Sequence, residues 1–367
     1  MRITFLTPPD SLTGGIRVIA TYAKCLQQLG HSVLILCATP DRIGGLRPAL
    51  RALRRADFRG AWEAARQGFA GTPSKVGHIA NSGVPYAVFE RPSPGISMLP
   101  DADLLVATWW ETAVWVDSMP AAKGRKVHLI QGYEIWTGGD VRQRVNAALR
   151  LPNCKIAISN QLKFDIESEL GDLDIRVVPN AVDLKQFDAP HRDRGVPPTV
   201  GFTYSRHAIK GADIIHEACR LARQDIPELR TLAFGSEQPS QDFPLPANTE
   251  FHYCPAQDQI AGLYARCDAW LFASRLDSFG LPILESMACR TPVIGVPIGA
   301  APELLADGAG VLVPSESPEA MAAALVALLR SPAEAWRRMS TISYQRAHAY
   351  SWDDATALLL KAIGDPP

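Results

Sequence analysis

The stretch 274–302, SRLDSFGLPILESMACRTPVIGVPIGAAP, decides how the rest of the chain is read. It opens where an apolar run, AWLFAS (269–274), ends, and it turns through Asp277, Ser278, Phe279 and Gly280. A short helix is predicted from Pro282, because proline fits the first helical position, where its missing N–H costs nothing. A second apolar run, PVIGV (292–296), and a second small-residue loop, 299–302, follow. Two strand-to-helix turns side by side are the edge of a parallel sheet. The free N–H groups and positive dipole end of a helix make an anion site. Glu285 lies three residues beyond Pro282, on about the same helical face, and Asp277 stands before the turn. The stretch offers amides for a phosphate and two carboxylates for hydroxyls, the combination that a nucleotide sugar needs.

The chain around it repeats this grammar. Residues 2–7 (RITFLT) read as a buried parallel strand, followed by a Gly14-Gly15 loop, a helical pattern from Ile16 to Leu29 and a second strand, SVLILCA (32–38). The glycine pair either lets backbone approach a ligand at a strand end or is only a turn. It is no GxGxxG, and no acidic residue ends the second strand, so a dinucleotide fingerprint is absent. Further strands are expected at 86–90, 103–110, 126–132, 155–159 and 175–180. Trp109, Trp110, Glu111 and Thr112 follow one of them, and Gln131, Tyr133, Glu134 and Trp136 another. Ligands of open parallel sheets sit beyond the strand carboxyl ends, so these aromatics and polar groups suit a sugar acceptor. The competing reading puts one or two of the tryptophans in the core. Trp109 or Trp110 at least should be buried, since successive strand residues face opposite ways.

A Pro-, Asp- and Arg-rich stretch without periodicity, 188–198, reads as a linker. Beyond it, strands at 199–205, 229–235, 249–254, 269–274, 292–296 and 310–314 alternate with helical patterns, and the tail 318–363 is helical. Two doubly wound halves are therefore expected, their strand carboxyl ends facing each other across a cleft. Arg206 and Lys210, in YSRHAIKG after the strand at 199–205, can both meet one diphosphate, a bidentate fork beside a point charge. The plainer alternative is a surface pair.

With 367 residues the chain exceeds a single ordinary core, so two domains are the prior. A net charge of −1 gives no polyelectrolyte field for nucleic acid. The seven cysteines form no CxxC pair and read as reduced thiols of a cytosolic protein. The start, MRITFLTPPD, shows no signal-peptide pattern, so a cytoplasmic location is expected. The basic amphipathic segment 47–69 offers a peripheral contact with an anionic membrane at its inner face, the alternative being a solvated helix on its own domain. No metal is expected: Asp101-Ala102-Asp103 and Asp172-Leu173-Asp174 have DxD spelling but sit where solvated turns do, and the eight histidines form no ligand-spaced cluster. Neither GxSxG nor GxxxxGK[ST] occurs.

GGIRVIATYAKCLQQLGHSV, VVPNAVDLKQF, SRHAIKG and the opening stretch together resemble glycosyltransferases of family 4, the group 1 glycosyl transferases with the GT-B fold. The family's acidic–seven–Glu signature stands here as Asp277 and Glu285, with Asp where Glu is usual. The resemblance implies an α/β chain of two Rossmann-like domains. These would be 1–188 for the acceptor, joined by 352–367 crossing back, then a linker at 189–198 and a nucleotide-sugar domain at 199–351. It implies retaining transfer from a nucleotide-diphosphate sugar to a saccharide, lipid-linked or small-molecule hydroxyl, without a metal and with the leaving phosphate as base. Glu285 would bind ribose and Asp277 a donor-sugar hydroxyl. Phe279, Gly280 and Leu281 would offer N–H groups, Tyr253 would join the donor site, and Arg206 and Lys210 would take the diphosphate. Gly14 and Gly15 would close on it from the other domain. Where many members place a histidine, this chain has Gln131-Gly132-Tyr133-Glu134, which makes Gln131 or Glu134 the replacement. Alternatives are a nucleotide-sugar epimerase on this scaffold and a non-catalytic nucleotide-sugar-binding protein.

Overall fold

The computed structural model describes residues 1–39, 77–90, 93–135 and 140–364. Segment 47–69 and Trp136 lie outside the described residues. The chain divides into two compact units. The first comprises Met1–Ala157, Ile166–Arg176 and Leu359–Pro367, and the second Ile158–Asp165 and Val177–Leu358.

The first unit is built on a sheet of order β3-β2-β1-β4-β5-β6-β7. Its strands are β1 (Arg2–Thr7), β2 (Ser32–Ala38), β3 (Tyr86–Phe89), β4 (Leu104–Ala107), β5 (Arg125–Ile130), β6 (Cys154–Ala157) and β7 (Ile175–Val177). β1 is buried from Ile3 to Thr7 and pairs in parallel with both β2 and β4, as a near-continuous apolar run should. The order reverses between β1 and β4, so the loops after these strands diverge and leave a crevice at their carboxyl ends. Helix Gly14–Gln28 forms the first crossover. Asp10 fastens the loop before it, accepting from the Ile79 and Ala80 N–H groups at 3.0 Å each.

The strand expected over 103–110 is shorter. The apolar run 103–110 is not all strand: β4 ends at Ala107 and helix Trp110–Asp117 starts three residues later. Thr112 Oγ1 accepts from the N–H groups of Thr108 and Trp109, both at 3.0 Å, and so turns the chain. Trp110 is buried at 7 % exposure as a first-turn helical residue, not through strand alternation.

The second unit holds a sheet of order β10-β9-β8-β11-β12-β13, all of its pairings parallel. The strands are β8 (Thr199–Thr203), β9 (Arg230–Gly235), β10 (Thr249–Tyr253), β11 (Ala269–Phe272), β12 (Val293–Gly295) and β13 (Gly310–Leu312). The order reverses between β8 and β11. Trp270 and Tyr264, ring centroids 4.4 Å apart, fill the core beneath these strands. Gly201 is required there, since a Cβ on it would lie 2.3 Å from the Trp270 ring. Residues 189–198 fall within this unit and are pinned to it. Buried Asp268 accepts from the N–H groups of Gly195 and Thr199 at 2.8 Å each, and from Arg192 at 3.1 Å. The α/β fold class of two doubly wound parallel sheets is the one expected.

Candidate active site

In the second unit, the ends of the adjacent strands β8 and β11 collect four of the expected residues. The loop after β8 carries Arg206 and Lys210, and that after β11 carries Asp277 and, one helical turn in, Glu285. Two devices hold the loops together. A Cβ on Gly211 would stand 2.1 Å from the Ala273 carbonyl oxygen, so only glycine, here at φ +68°, lets the first loop cross the end of β11. Arg275 donates its N–H to Ile209 O at 2.8 Å, and its guanidinium forks onto Asp213 at 2.9 and 2.7 Å.

Lys210 and Asp277 consequently meet, Nζ to Oδ2 at 2.8 Å. The other Asp277 oxygen accepts from the Phe279 and Gly280 N–H groups at 3.1 and 2.8 Å. These two amides, expected to face sugar or phosphate, are thus taken by the aspartate that opens the turn. Either must exchange partner to serve a donor. Gly280, at φ +89°, turns the chain into helix Leu281–Ala288. Gly299, at φ +60°, packs against the same turn; a Cβ there would lie 3.0 Å from Asp277 O and from Phe279 N. Glu285 is only 4 % exposed, and its Oε2 accepts from the buried Tyr264 hydroxyl at 2.8 Å. Tyr253 is 52 % exposed at the end of edge strand β10, opposite Gly235 of β9.

A residue that the sequence reading passed over completes this set. Glu237, just beyond β9, accepts from the Arg206 N–H and the Ser205 hydroxyl, both at 3.0 Å. The Arg206 N–H, with help from Ser205, holds its carboxyl below the usual range against the effect of burial. Its position at a strand's carboxyl end was the available signal.

In the first unit, the ends of β4 and β5 carry the residues expected to meet an acceptor, and the end of β1 the glycine pair expected to close on the donor. Gly14 and Gly15 begin the helix after β1, and a Cβ on Gly15 would lie 3.4 Å from Gln131 Oε1. That oxygen is buried and has no hydrogen-bond partner among the described residues. Glu134 is 3 % exposed and accepts from the Trp110 N–H at 3.1 Å. Burial pushes its pKa up to about 8, with Glu111 adding repulsion and the Trp110 N–H opposing both. The Arg144 guanidinium lies over the Trp110 ring, 4.6 Å from its centroid. Trp109 is half-buried beside it. Tyr133 points elsewhere, donating its hydroxyl to Asn146 at 2.7 Å. Of the DxD pairs, Asp101 meets Lys123 and Asp103 meets Arg2. Among the described residues no cluster of metal-ligating side chains occurs, and no helix is long and apolar enough to cross a membrane.

Part of the chain matches a known family. Residues 197–331 match the family Glycosyl transferases group 1. A D-inositol 3-phosphate glycosyltransferase of Segniliparus rotundus is 33 % identical over 231 residues, 55 % of this chain and 51 % of that one. A protein of the same name from Xylanimonas cellulosilytica is 31 % identical over 219 residues, 52 % of this chain and 51 % of its own. The chain spans about half the length of these relatives. Among solved structures, Anabaena HepE in complex with UDP and glucose superposes with a TM-score of 0.75 at 17 % identity, covering 99 % of both chains. A sucrose-phosphate synthase from Thermosynechococcus elongatus gives 0.71 at 17 %, covering 98 % of both. Residues 197–331 therefore belong to the glycosyl transferases group 1, on a chain of GT-B fold.

Proposed function

We propose that the protein transfers a glycosyl group from a nucleotide-diphosphate sugar to an acceptor hydroxyl, with retention of configuration and without a metal. The observation that carries this reading is the convergence of Arg206, Lys210, Asp277 and Glu285 on the ends of β8 and β11, inside the segment that matches the group 1 family. Arg206 and Lys210 take the diphosphate. Negative charge grows on the leaving phosphate as its bond to the sugar C1 breaks, so two fixed cations there stabilise the transition state more than the ground state. Asp277 takes a donor-sugar hydroxyl once Lys210 has turned to phosphate. Glu285 takes the ribose hydroxyls beside Tyr264.

The acceptor oxygen bonds to C1 on the face that the phosphate leaves. Its proton passes to the departing phosphate oxygen, so no protein nucleophile is needed. Gln131, Glu134, Trp109, Trp110 and Glu111 are assigned to the acceptor, and Gly14, Gly15 and Tyr253 to the donor; Tyr133, whose hydroxyl is spent on Asn146, is left out. The relatives' name makes D-inositol 3-phosphate the first acceptor to try, and the HepE complex makes UDP the first nucleotide. The test is a thermal-shift screen against UDP-, GDP-, ADP- and dTDP-sugars, since a ligand of the folded state alone raises its midpoint. Transfer is then assayed in EDTA, with the product's anomeric configuration read by NMR. No response to any of the four nucleotides, or an inverted product, would overturn the reading.

A further inference from the structure

We propose that Glu237 is the positioning residue for Arg206, aiming its guanidinium at the donor diphosphate; this rests on the donor-site reading above. The two carboxylate oxygens of Glu237 have separate tasks. Oε2 accepts from the Ser205 hydroxyl and the Arg206 N–H, each at 3.0 Å, and fixes the backbone of the turn after β8. Oε1 faces the Arg206 side chain, 3.6 Å from Nε, and lies 4.0 Å from His207 Nε2. Ser205 Oγ in turn accepts from the His207 N–H at 3.2 Å, so one carboxylate organises the whole turn 205–207.

The strands beneath fix where this carboxylate stands. Tyr204 N–H donates to Phe234 O at 2.8 Å, and a Cβ on Gly235 would lie 2.4 Å from Tyr204 O. Glycine at 235 therefore brings the end of β9 against the end of β8, two residues before Glu237. Arg206 is half exposed, with 50 % of its side chain open to solvent. A long cationic side chain in that setting samples many rotamers, and ordering it on binding costs free energy. A charge contact at Nε restricts the stem without using the terminal nitrogens, which make the fork for phosphate oxygens. An ion pair this exposed contributes little to folding, so its effect falls on ligand binding.

Glu237→Gln separates the two tasks. Its carbonyl oxygen can still accept from Ser205 and the Arg206 N–H, while its amide places a donor where Oε1 met the guanidinium. The experiment is a double-mutant cycle in UDP binding, by calorimetry, on wild type, E237Q, Arg206→Ala and the double variant. Glu237→Asp, which keeps the charge but shortens the reach, runs through the same cycle so that the outcome does not hang on one variant folding. Ser205→Ala, a turn hydrogen bond without charge, serves as control. E237Q is expected to weaken UDP roughly three- to tenfold in the wild-type background and less than about twofold beside R206A. Equal losses in both backgrounds, or a loss from S205A as large as that from E237Q, would make Glu237 merely structural and overturn the proposal. An unchanged affinity in E237Q and E237D would do the same. Where the thermal-shift screen selects another base, the cycle runs with that nucleoside diphosphate; wild type that binds none of the four would instead remove the donor-site reading, and the proposal with it.

Discussion

Lys210 Nζ stands 2.8 Å from Asp277 Oδ2, while the other oxygen of that carboxylate takes the Phe279 and Gly280 N–H groups. The cation proposed for the diphosphate thus rests on the acid proposed for the donor sugar. Their side chains are 40 % and 19 % exposed, so the pair contributes at most about 1 kcal/mol to folding. Lys210→Ala should leave the melting midpoint nearly unchanged. It should lower kcat/KM for donor about a hundredfold, the usual consequence of losing one charged contact to a transition state. Steady-state kinetics beside a thermal melt checks this. Near-normal turnover would remove Lys210 from the diphosphate.

Glu285 invites a prediction that separates folding from binding. Its Oε2 receives the Tyr264 hydroxyl in a pocket where both residues are buried. Glu285→Ala removes the acceptor that this hydroxyl uses, which costs about 1–3 kcal/mol. Glu285→Gln keeps an acceptor for Tyr264 and should fold almost as wild type. Both variants should lose the thermal shift that a nucleotide sugar gives wild type. If E285Q keeps the full shift, Glu285 is a core residue and no more.

Much of this was legible because the second unit's strands are short apolar runs bounded by Gly and Pro, and because Asp277 and Glu285 keep a fixed spacing in one local stretch. What stayed hidden depends on contacts far apart in sequence. Glu237 looks like any surface carboxylate until the β8–β9 pairing brings it to Ser205 and Arg206. The stretch 188–198 reads as a linker from its Pro, Asp and Arg content, and nothing local shows that its Gly195 N–H goes to the distant Asp268, which also takes Thr199 N–H. Helix Trp110–Asp117 was masked because TWWETAVWV is apolar enough to continue a strand. Thr112 and Glu134, which cap its start, are ordinary residues in the sequence.

Gly211 should tolerate no side chain. At φ +68° alanine is already strained, and its Cβ would stand 2.1 Å from the Ala273 carbonyl oxygen, a backbone atom at the end of a central strand. Strain of this kind costs about 1–3 kcal/mol before the clash is relieved. Relief means moving the loop that carries Lys210. Gly211→Ala should therefore lower the urea midpoint by the equivalent of more than about 2 kcal/mol and reduce donor affinity together with it. A variant with the wild-type midpoint would show that the loop does not cross the end of β11 this closely.

Two buried groups in the first unit set opposing pH dependences. His128 is 1 % exposed, and neither ring nitrogen has a hydrogen-bond partner among the described residues. Burial, with repulsion from Lys155, holds its pKa down at about 3. An unfolded imidazole titrates near ~6.5, so below that pH the unfolded chain binds a proton that the folded chain refuses. Stability should fall as pH drops from about 6.5 toward about 3, by up to about 1.4 kcal/mol per unit. Glu134 has the other sign. Burial first, then Glu111, push its carboxyl up to about 8. The folded state keeps this proton while an unfolded glutamate loses it near ~4.3, so stability present below that pH is lost as pH rises toward about 8. Between roughly pH 4.5 and 6.5 the two slopes cancel in part. Glu134→Gln should expose the acid limb alone, with urea midpoints rising up to about pH 6.5 and then level. His128→Met should expose the opposite limb, with midpoints falling from about pH 5 to 8. If the two single variants show the same pH profile as wild type, neither group carries the charge cost that its burial implies.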